Sequence, residues 1–337
     1  MRRAEILPTH TPALFNAAVG RAATLLRLGE VVALPTETVY GLAANALDEA
    51  AVRRVFEAKG RPAHNPIIVH FADLAMARRC AAEWPVLADK LAAAFWPGPL
   101  TLVLARSIEI PSTVTAGGDT VGVRWPSHPF MQAVIRACGF PLAAPSANRS
   151  NEISPTNAEH VARSLGEFIP LIIDGGQSQV GIESTVLDLT TTPPRLLRPG
   201  MIHEESLVAV TGALDVSAGA GGGALRSPGQ LRKHYAPKAR LVILAWSDEQ
   251  DFKAQLARLT TAPEKTFVIA HTHIPLGASV GSVSVIPHDA EAFARAIYSE
   301  LHHCDAEGAE LIVVEALPDG VEWRAIADRL QRAAAQG

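Results

Sequence analysis

The chain has 337 residues, room for two domains at about 150 residues each, and its 48% hydrophobic against 19% charged residues exclude a disordered polyelectrolyte. Thirty Lys and Arg against 34 Asp and Glu leave a net charge of −4, which excludes a global basic field for nucleic acid. Three sparse cysteines without a CxxC exclude a disulfide framework and a cysteine zinc site and fit a reducing cytoplasm.

The longest apolar runs, such as 241–246 and 311–314, have strand length, well short of the roughly 20 residues that span a bilayer, so no membrane segment is expected. No signal peptide is expected either, because Glu5, Pro8 and His10 occupy the place of an apolar h-region. From residue 31 onward, short apolar runs (31–34, 67–70, 100–105, 121–124, 142–144, 171–174, 184–188, 195–197) alternate with helical stretches (50–59, 74–83, 86–95). That alternation reads as a mixed α/β domain over 1–211. Residues 212–239 are rich in Gly and Ser and read as a flexible linker, because glycine resists ordering. Strand and helix patterns then alternate from 241 to 333, a small parallel α/β domain over 240–337 without a GxGxxG fingerprint.

Polar residues cluster where the first domain's strands end. Pro35-Thr36-Glu37-Thr38-Val39-Tyr40-Gly41 carries two hydroxyls, a carboxylate and a phenol into a turn. Lys59, Arg61 and Asn65 share one proline-stiffened loop, and Lys as a point charge with Arg as a planar fork suits phosphate or carboxylate oxygens. Thr120 and Arg124 share a sheet face by the period of two. Ala144-Pro145-Ser146-Ala147-Asn148-Arg149-Ser150 is a low-bulk loop that a phosphate or ribose can approach, and Ser184 and Arg198 mark two further strand ends. Each segment alone also reads as a helix cap, a turn or a structural ion pair. Together, hydroxyls and cations at six strand-terminal loops point to a polyanionic substrate rather than to metal-ligand hydrolysis. The histidines at 271, 273, 302 and 303 complete no ligand set at recognised spacing and read as solvated.

The motifs PTETVYGLA (35–43), KGRPAHNPIIVH (59–70), WPGPLTLVL (96–104), TVGVRWPSHP (120–129), APSANRS (144–150), GIESTVLDL (181–189), LLRPG (196–200) and SPGQLRKHYAP (227–237), in that order, resemble the threonylcarbamoyl-AMP synthases. The resemblance is to the long form, a YrdC-like mixed α/β domain joined by a linker to a smaller Rossmann-like domain. It implies a nucleotidyltransferase that makes threonylcarbamoyl-AMP and pyrophosphate from L-threonine, bicarbonate and ATP, with Mg²⁺ carried by the triphosphate. The product would pass to a tRNA-modifying transferase complex for N6-threonylcarbamoylation of adenosine beside the anticodon. Carried over residue by residue, Thr38, His70, Arg124, Ala144 and Ser184 stand where that family holds threonine. Arg61, Asn65, Thr120, Ser146, Ser154, Arg198 and Tyr235 stand where it holds ATP, Tyr235 closing as a lid, and Lys59 and Arg61 stand as the catalytic cations. Asn151 replaces the glycine of the family's SANxSG, and Asn is the residue that best tolerates a positive φ there. A competing reading is an RNA-binding module with a weak tRNA contact at a local patch of Arg53, Arg54, Lys59 and Arg61.

Overall fold

The structure, a computed structural model, describes residues 3–217 and 235–335. The Gly-rich part of the expected linker, 218–234, lies outside the described residues. The chain divides into two compact units, Met1–Ser150 with Ser154–Gln230 and Asn151–Ile153 with Leu231–Gly337.

In the first unit the elements run β1 (Glu5–Pro8), α1 (Pro12–Arg27), β2 (Val32–Leu34), β3 (Gly41–Asn45), α2 (Glu49–Lys59), β4 (Val69–His70), α3 (Leu74–Cys80), α4 (Val86–Phe95), β5 (Leu100–Ala105), β6 (Thr120–Arg124), α5 (Pro129–Cys138), β7 (Leu142–Ala143), α6 (Ala158–Leu165), β8 (Leu171–Asp174), β9 (Thr185–Asp188), β10 (Arg195–Arg198) and α7 (Glu204–Thr211). The strands form one mixed sheet in the order β1-β8-β2-β3-β7-β4-β6-β5-β9-β10. Both faces of its centre are buried. Along β2 and β3, Ala33, Leu42 and Ala44 enter one apolar cluster while Val32, Leu34 and Ala43 enter another, as side chains alternating across a pleat must.

Local chemistry sets the elements that carry polar residues. The Asp48 side chain accepts the amides of Ala50 and Ala51 and starts α2, and Gly60 at φ +59 stops it, which leaves Lys59 in the last turn, almost wholly buried. In α5 the ring of His128 accepts the amide of Phe130, Pro129 opens the helix, and Gly139 at φ +78 closes it. Arg124 ends β6 beside His70 of β4, the two strands running parallel with His70 opposite Arg124. Phe71 follows His70 directly and is fully buried, its ring edge-on to Trp96 with centroids 5.1 Å apart and tilted toward Trp125 at 6.3 Å. Phe71→Ala should therefore lower the unfolding free energy by about 3–5 kcal/mol, read from the urea midpoint, because it removes a fully packed aromatic. A loss under about 1 kcal/mol would show that this aromatic wall collapses onto the cavity.

In the second unit the strands β11 (Arg240–Leu244), β12 (Thr266–Ala270), β13 (Ser282–Val285) and β14 (Leu311–Glu315) form an all-parallel sheet in the order β11-β14-β12-β13, with helices α8 (Glu249–Leu256), α9 (Ala290–Ala306) and α10 (Arg324–Ala334). This is the small parallel α/β unit that the sequence pattern implies. One expectation fails here: His271 is not solvated. It is buried at the end of β12, stacked on Trp323 with centroids 5.7 Å apart, its Nε2 3.1 Å from the Ala316 carbonyl and its Nδ1 2.9 Å from His288 Nδ1. Glu315, also buried, accepts the backbone amides of His271, Thr272 and His273, so this cluster is the polar plug of the sheet's carboxyl edge. Among the described residues no helix is long and apolar enough to cross a membrane.

Candidate active site

The segment from Pro35 to Tyr40 joins β2 to β3 and is held by backbone bonds from distant parts of the first unit. Val180 donates to the Glu37 carbonyl (2.7 Å), Gly181 to that of Thr38 (3.1 Å), Tyr40 to that of Pro155 (2.8 Å) and Ala147 to that of Tyr40 (2.8 Å). Its hydroxyls are ordered by their own proton count. Thr36 Oγ1 spends its proton on the Val39 carbonyl at 2.6 Å, so the 2.9 Å contact with Thr38 Oγ1 is a bond that Thr38 donates. Tyr40 Oη donates to the Gly176 carbonyl (2.7 Å) and accepts from the Gly175 amide (3.1 Å), and burial pushes its phenol well above the ordinary range.

Arg124 is the centre of this cluster. Its guanidinium, 3% exposed, donates through Nη1 to Thr38 Oγ1 at 2.9 Å and through Nε to the Gly98 carbonyl at 3.3 Å, and Nη2 lies 2.7 Å from Glu37 Oε1. Burial raises the Glu37 carboxyl, but the Arg124 charge with the nearby N–H donors of Arg124 and Ser127 outweighs it and holds the group below the ordinary carboxylate range. His70 moves the other way: burial, with Arg124's charge added, pushes its imidazole down to about 3, so it is neutral near pH 7. Its Nδ1 is buried and has no hydrogen-bond partner among the described residues.

Ser184 starts a second polar group. Its Oγ lies 2.8 Å from Thr101 Oγ1 and accepts from Arg198 Nη2 at 3.1 Å, while Arg198 Nε donates to its carbonyl at 3.0 Å. A register shift between Leu196 and Arg198 places Arg198 opposite Val186, next to this serine. Nearby in sequence, Ser154 Oγ donates to Glu183 Oε1 at 2.6 Å.

Lys59 is an anchor for the low-bulk loop: its Nζ donates to the carbonyl of Ser146 (2.6 Å) and to that of Asn148. Arg61 organises its own loop, with Nε to the Asn65 carbonyl (3.0 Å) and Nη2 to the Pro66 carbonyl (2.7 Å). Asn65 is fully buried, and neither polar atom of its side chain has a partner among the described residues. Ala144 is buried where the chain leaves β7, its amide on the Ile68 carbonyl, and Ser146 pairs across with Gly41. Thr120 opens β6, about 13 Å along the strand from Arg124, and so is not part of the Arg124 cluster. Tyr235 belongs to the second unit. It is buried there with φ +62, its ring tilted against Tyr298 and the Arg329 guanidinium 5.5 Å from its centroid. Asn151 has φ +70, the left-handed conformation for which Asn stands in for glycine.

Sequence reasoning gave no role to Glu37 or Thr101. Glu37 is visible in sequence only as a carboxylate between two threonines at a strand end; that it is buried, and which cation it then requires, are properties of the fold. The basic patch suggested as an RNA contact breaks up. Lys59 and Arg61 are buried on carbonyls, and the exposed Arg53 and Arg54 sit 2.7 Å from Glu49 and Glu30. Among the described residues no group of three His, Cys, Asp or Glu is placed to hold a metal ion.

Comparison with known proteins covers nearly the whole chain. A family model described as telomere recombination matches residues 24–200, and one described as the C-terminal domain of threonylcarbamoyl-AMP synthase matches residues 202–335. The threonylcarbamoyl-AMP synthase of Pyrococcus abyssi is 41% identical over 93% of this chain and 92% of its own, and that of Bacillus subtilis is 42% identical over 94% and 92%. The crystal structure of P. abyssi Sua5 complexed with L-threonine superposes with a TM-score of 0.90 at 38% identity, covering 98% of each chain. The chain belongs to the threonylcarbamoyl-AMP synthase family, ATP-using enzymes of nucleotidyltransferase type.

Proposed function

We propose that this chain joins L-threonine, bicarbonate and ATP into threonylcarbamoyl-AMP, pyrophosphate and water, with residues 1–211 as the catalytic domain, 212–239 as a connector and 240–337 as the C-terminal domain. The observation that carries the reading is a buried Arg124 fork lying among the Thr38 hydroxyl and a neutral His70, in a cluster where a carboxylate can be held away from water.

In this reading threonine's carboxylate lies on Arg124, and Thr38, His70, Ala144 and Ser184 surround the rest of the amino acid. Arg61, Asn65, Thr120, Ser146, Ser154, Arg198 and Tyr235 hold ATP, and the Lys59 and Arg61 cations stabilise the charge that grows on phosphorus. Threonine's amine forms the N–C bond to bicarbonate as water leaves. A carbamate oxygen then bonds to the α-phosphorus as the bond to pyrophosphate breaks. Both steps ask for positioning and anion stabilisation rather than a general-base triad. Mg²⁺ would enter with ATP, held chiefly by phosphate oxygens and water, and would neutralise charge on the triphosphate. The enzyme would work in the cytoplasm and hand its product to a tRNA-modifying transferase complex.

The test is pyrophosphate release by the purified chain with ATP, Mg²⁺ and bicarbonate, with and without L-threonine, and with serine or valine in its place. Release that needs L-threonine and falls with serine and valine supports the reading. Release indifferent to the amino acid, or none from folded protein that binds ATP, overturns it.

A further inference from the structure

Glu37 is 6% exposed, and neither of its carboxylate oxygens completes a well-aligned hydrogen bond among the described residues. What holds it is the Arg124 guanidinium, with Nη2 2.7 Å from Oε1, together with the nearby backbone N–H groups of Ser127 and of Glu37 itself. A buried anion that faces a cation and still has acceptor positions open is incomplete as a structural pair, because an ionised carboxylate offers about four acceptor sites. Arg124 in turn has its other bonds on Thr38 and on a carbonyl, so the edge shared with Glu37 is where an incoming charged group meets both residues. The histidines near this pair do not compete as cations. Burial pushes His70 down to about 3 and lowers His128 as well.

We propose that Glu37 anchors the ammonium group of the amino-acid substrate, so that Glu37 and Arg124 together read the zwitterion. The proposal rests on the reading that Arg124 takes the substrate carboxylate. When that carboxylate shares Arg124, Glu37 loses part of its counter-charge in a dry site, and the ligand must bring a replacement. An α-amino acid brings it on the adjoining carbon, so the two ion pairs close as a ring of alternating sign. Bicarbonate and the triphosphate bring only negative charge and cannot. With its carboxyl held below the ordinary range, Glu37 acts as counter-ion and not as the base that prepares the amine for attack. A hydroxy acid of the same shape satisfies Arg124 but leaves Glu37 uncompensated, which gives the site a means of rejecting it.

The experiment is calorimetric titration of the full chain with L-threonine and with its analogue in which a hydroxyl replaces the ammonium. Wild type, Glu37→Gln and Glu37→Asp are compared, with ATP binding as the control for folding. Wild type should prefer threonine by about 10- to 100-fold, the scale of a hydrogen bond to a charged group. Glu37→Gln should bring the two ligands to within about 3-fold while ATP affinity stays unchanged, and Glu37→Asp should restore part of the preference. If Glu37→Gln weakens both ligands equally, Glu37 merely positions Arg124 and the proposal is overturned. Equal binding of the two ligands by wild type overturns it without any variant. Wild type that binds ATP but not threonine overturns the underlying reading and the proposal with it.

Discussion

Arg124→Ala should abolish threonine-dependent pyrophosphate release, with the threonine requirement raised by about 100-fold or more if any turnover persists, since a charge-assisted fork is lost from a buried site. The same change leaves the Glu37 carboxylate buried without its cation. The cost of removing one partner from such a pair is about 3–5 kcal/mol, so a fall in melting temperature accompanies the loss of activity. The two effects are separable. Adding Glu37→Gln to Arg124→Ala removes the orphaned charge and should return much of the stability while returning none of the activity. ATP binding measured on the double variant reports whether the remainder of the site stands. A double variant as unstable as Arg124→Ala would mean that the arginine holds the fold through Thr38 and the Gly98 carbonyl rather than through Glu37.

Acid should destabilise the protein through His70. The imidazole titrates near 6.5 in an unfolded chain and is pushed down to about 3 in the folded one, so between those values the unfolded state binds the extra proton. Stability is then fully present above about pH 6.5 and is lost as pH falls toward about 3, at a slope that approaches 1.4 kcal/mol per pH unit for one proton. Glu37, with its carboxyl held low, adds loss of the same sign, but only as pH drops through the carboxylate range. Denaturant unfolding of wild type and His70→Asn at pH 7, 6, 5 and 4 isolates the histidine. The wild-type curve should fall relative to the variant across this series, and two curves parallel in pH would sink the assignment. Because the imidazole stays neutral, the pH profile of kcat/KM should carry no step at 6.5 that disappears in His70→Asn.

Much of this architecture can be read from residues, and the failures have physical causes. The patterns at β5 and β8 are short runs rich in buried Leu, Val and Ile, β6 sets two buried valines about a glycine, and all three fold where that signal puts them. Helix α5 lies outside the helical stretches expected above although its signal is present: Phe130, Met131, Val134, Ile135 and Cys138 recur at helical spacing between Pro129 and Gly139. β3 was not legible. Gly-Leu-Ala-Ala-Asn has no β-branched residue, and its strand exists because β2 and β7 pair with it on either side. β4 is two residues of an expected run of four, because the Ile67 amide bonds the Val114 carbonyl instead of a neighbouring strand. In the site, residue types were legible and partners were not. Lys59 and Arg61 look like surface cations in sequence, yet both are buried on loop carbonyls. His271 looks exposed until Trp323, fifty-two positions later in the chain, covers it.

The segment from Pro35 to Tyr40 takes its shape from residues made much later. Tyr40 Oη reaches a carbonyl 136 positions on, the Ser178 hydroxyl returns 142 positions to the Thr36 carbonyl, and the amides of Val180 and Gly181 close on Glu37 and Thr38. Contacts of such separation form late, since the loop between them must be closed before they reward it. On the ribosome the order is fixed more strictly. Until Gly181 has left the exit tunnel, the hydroxyls around Arg124 lack the frame that orders them, although β2 through β7 are already made. If Arg124 takes the amino acid as proposed, its recognition is among the last properties the nascent chain acquires, and a chain cut directly after β8 should keep most of the first unit's apolar strands yet bind no amino acid.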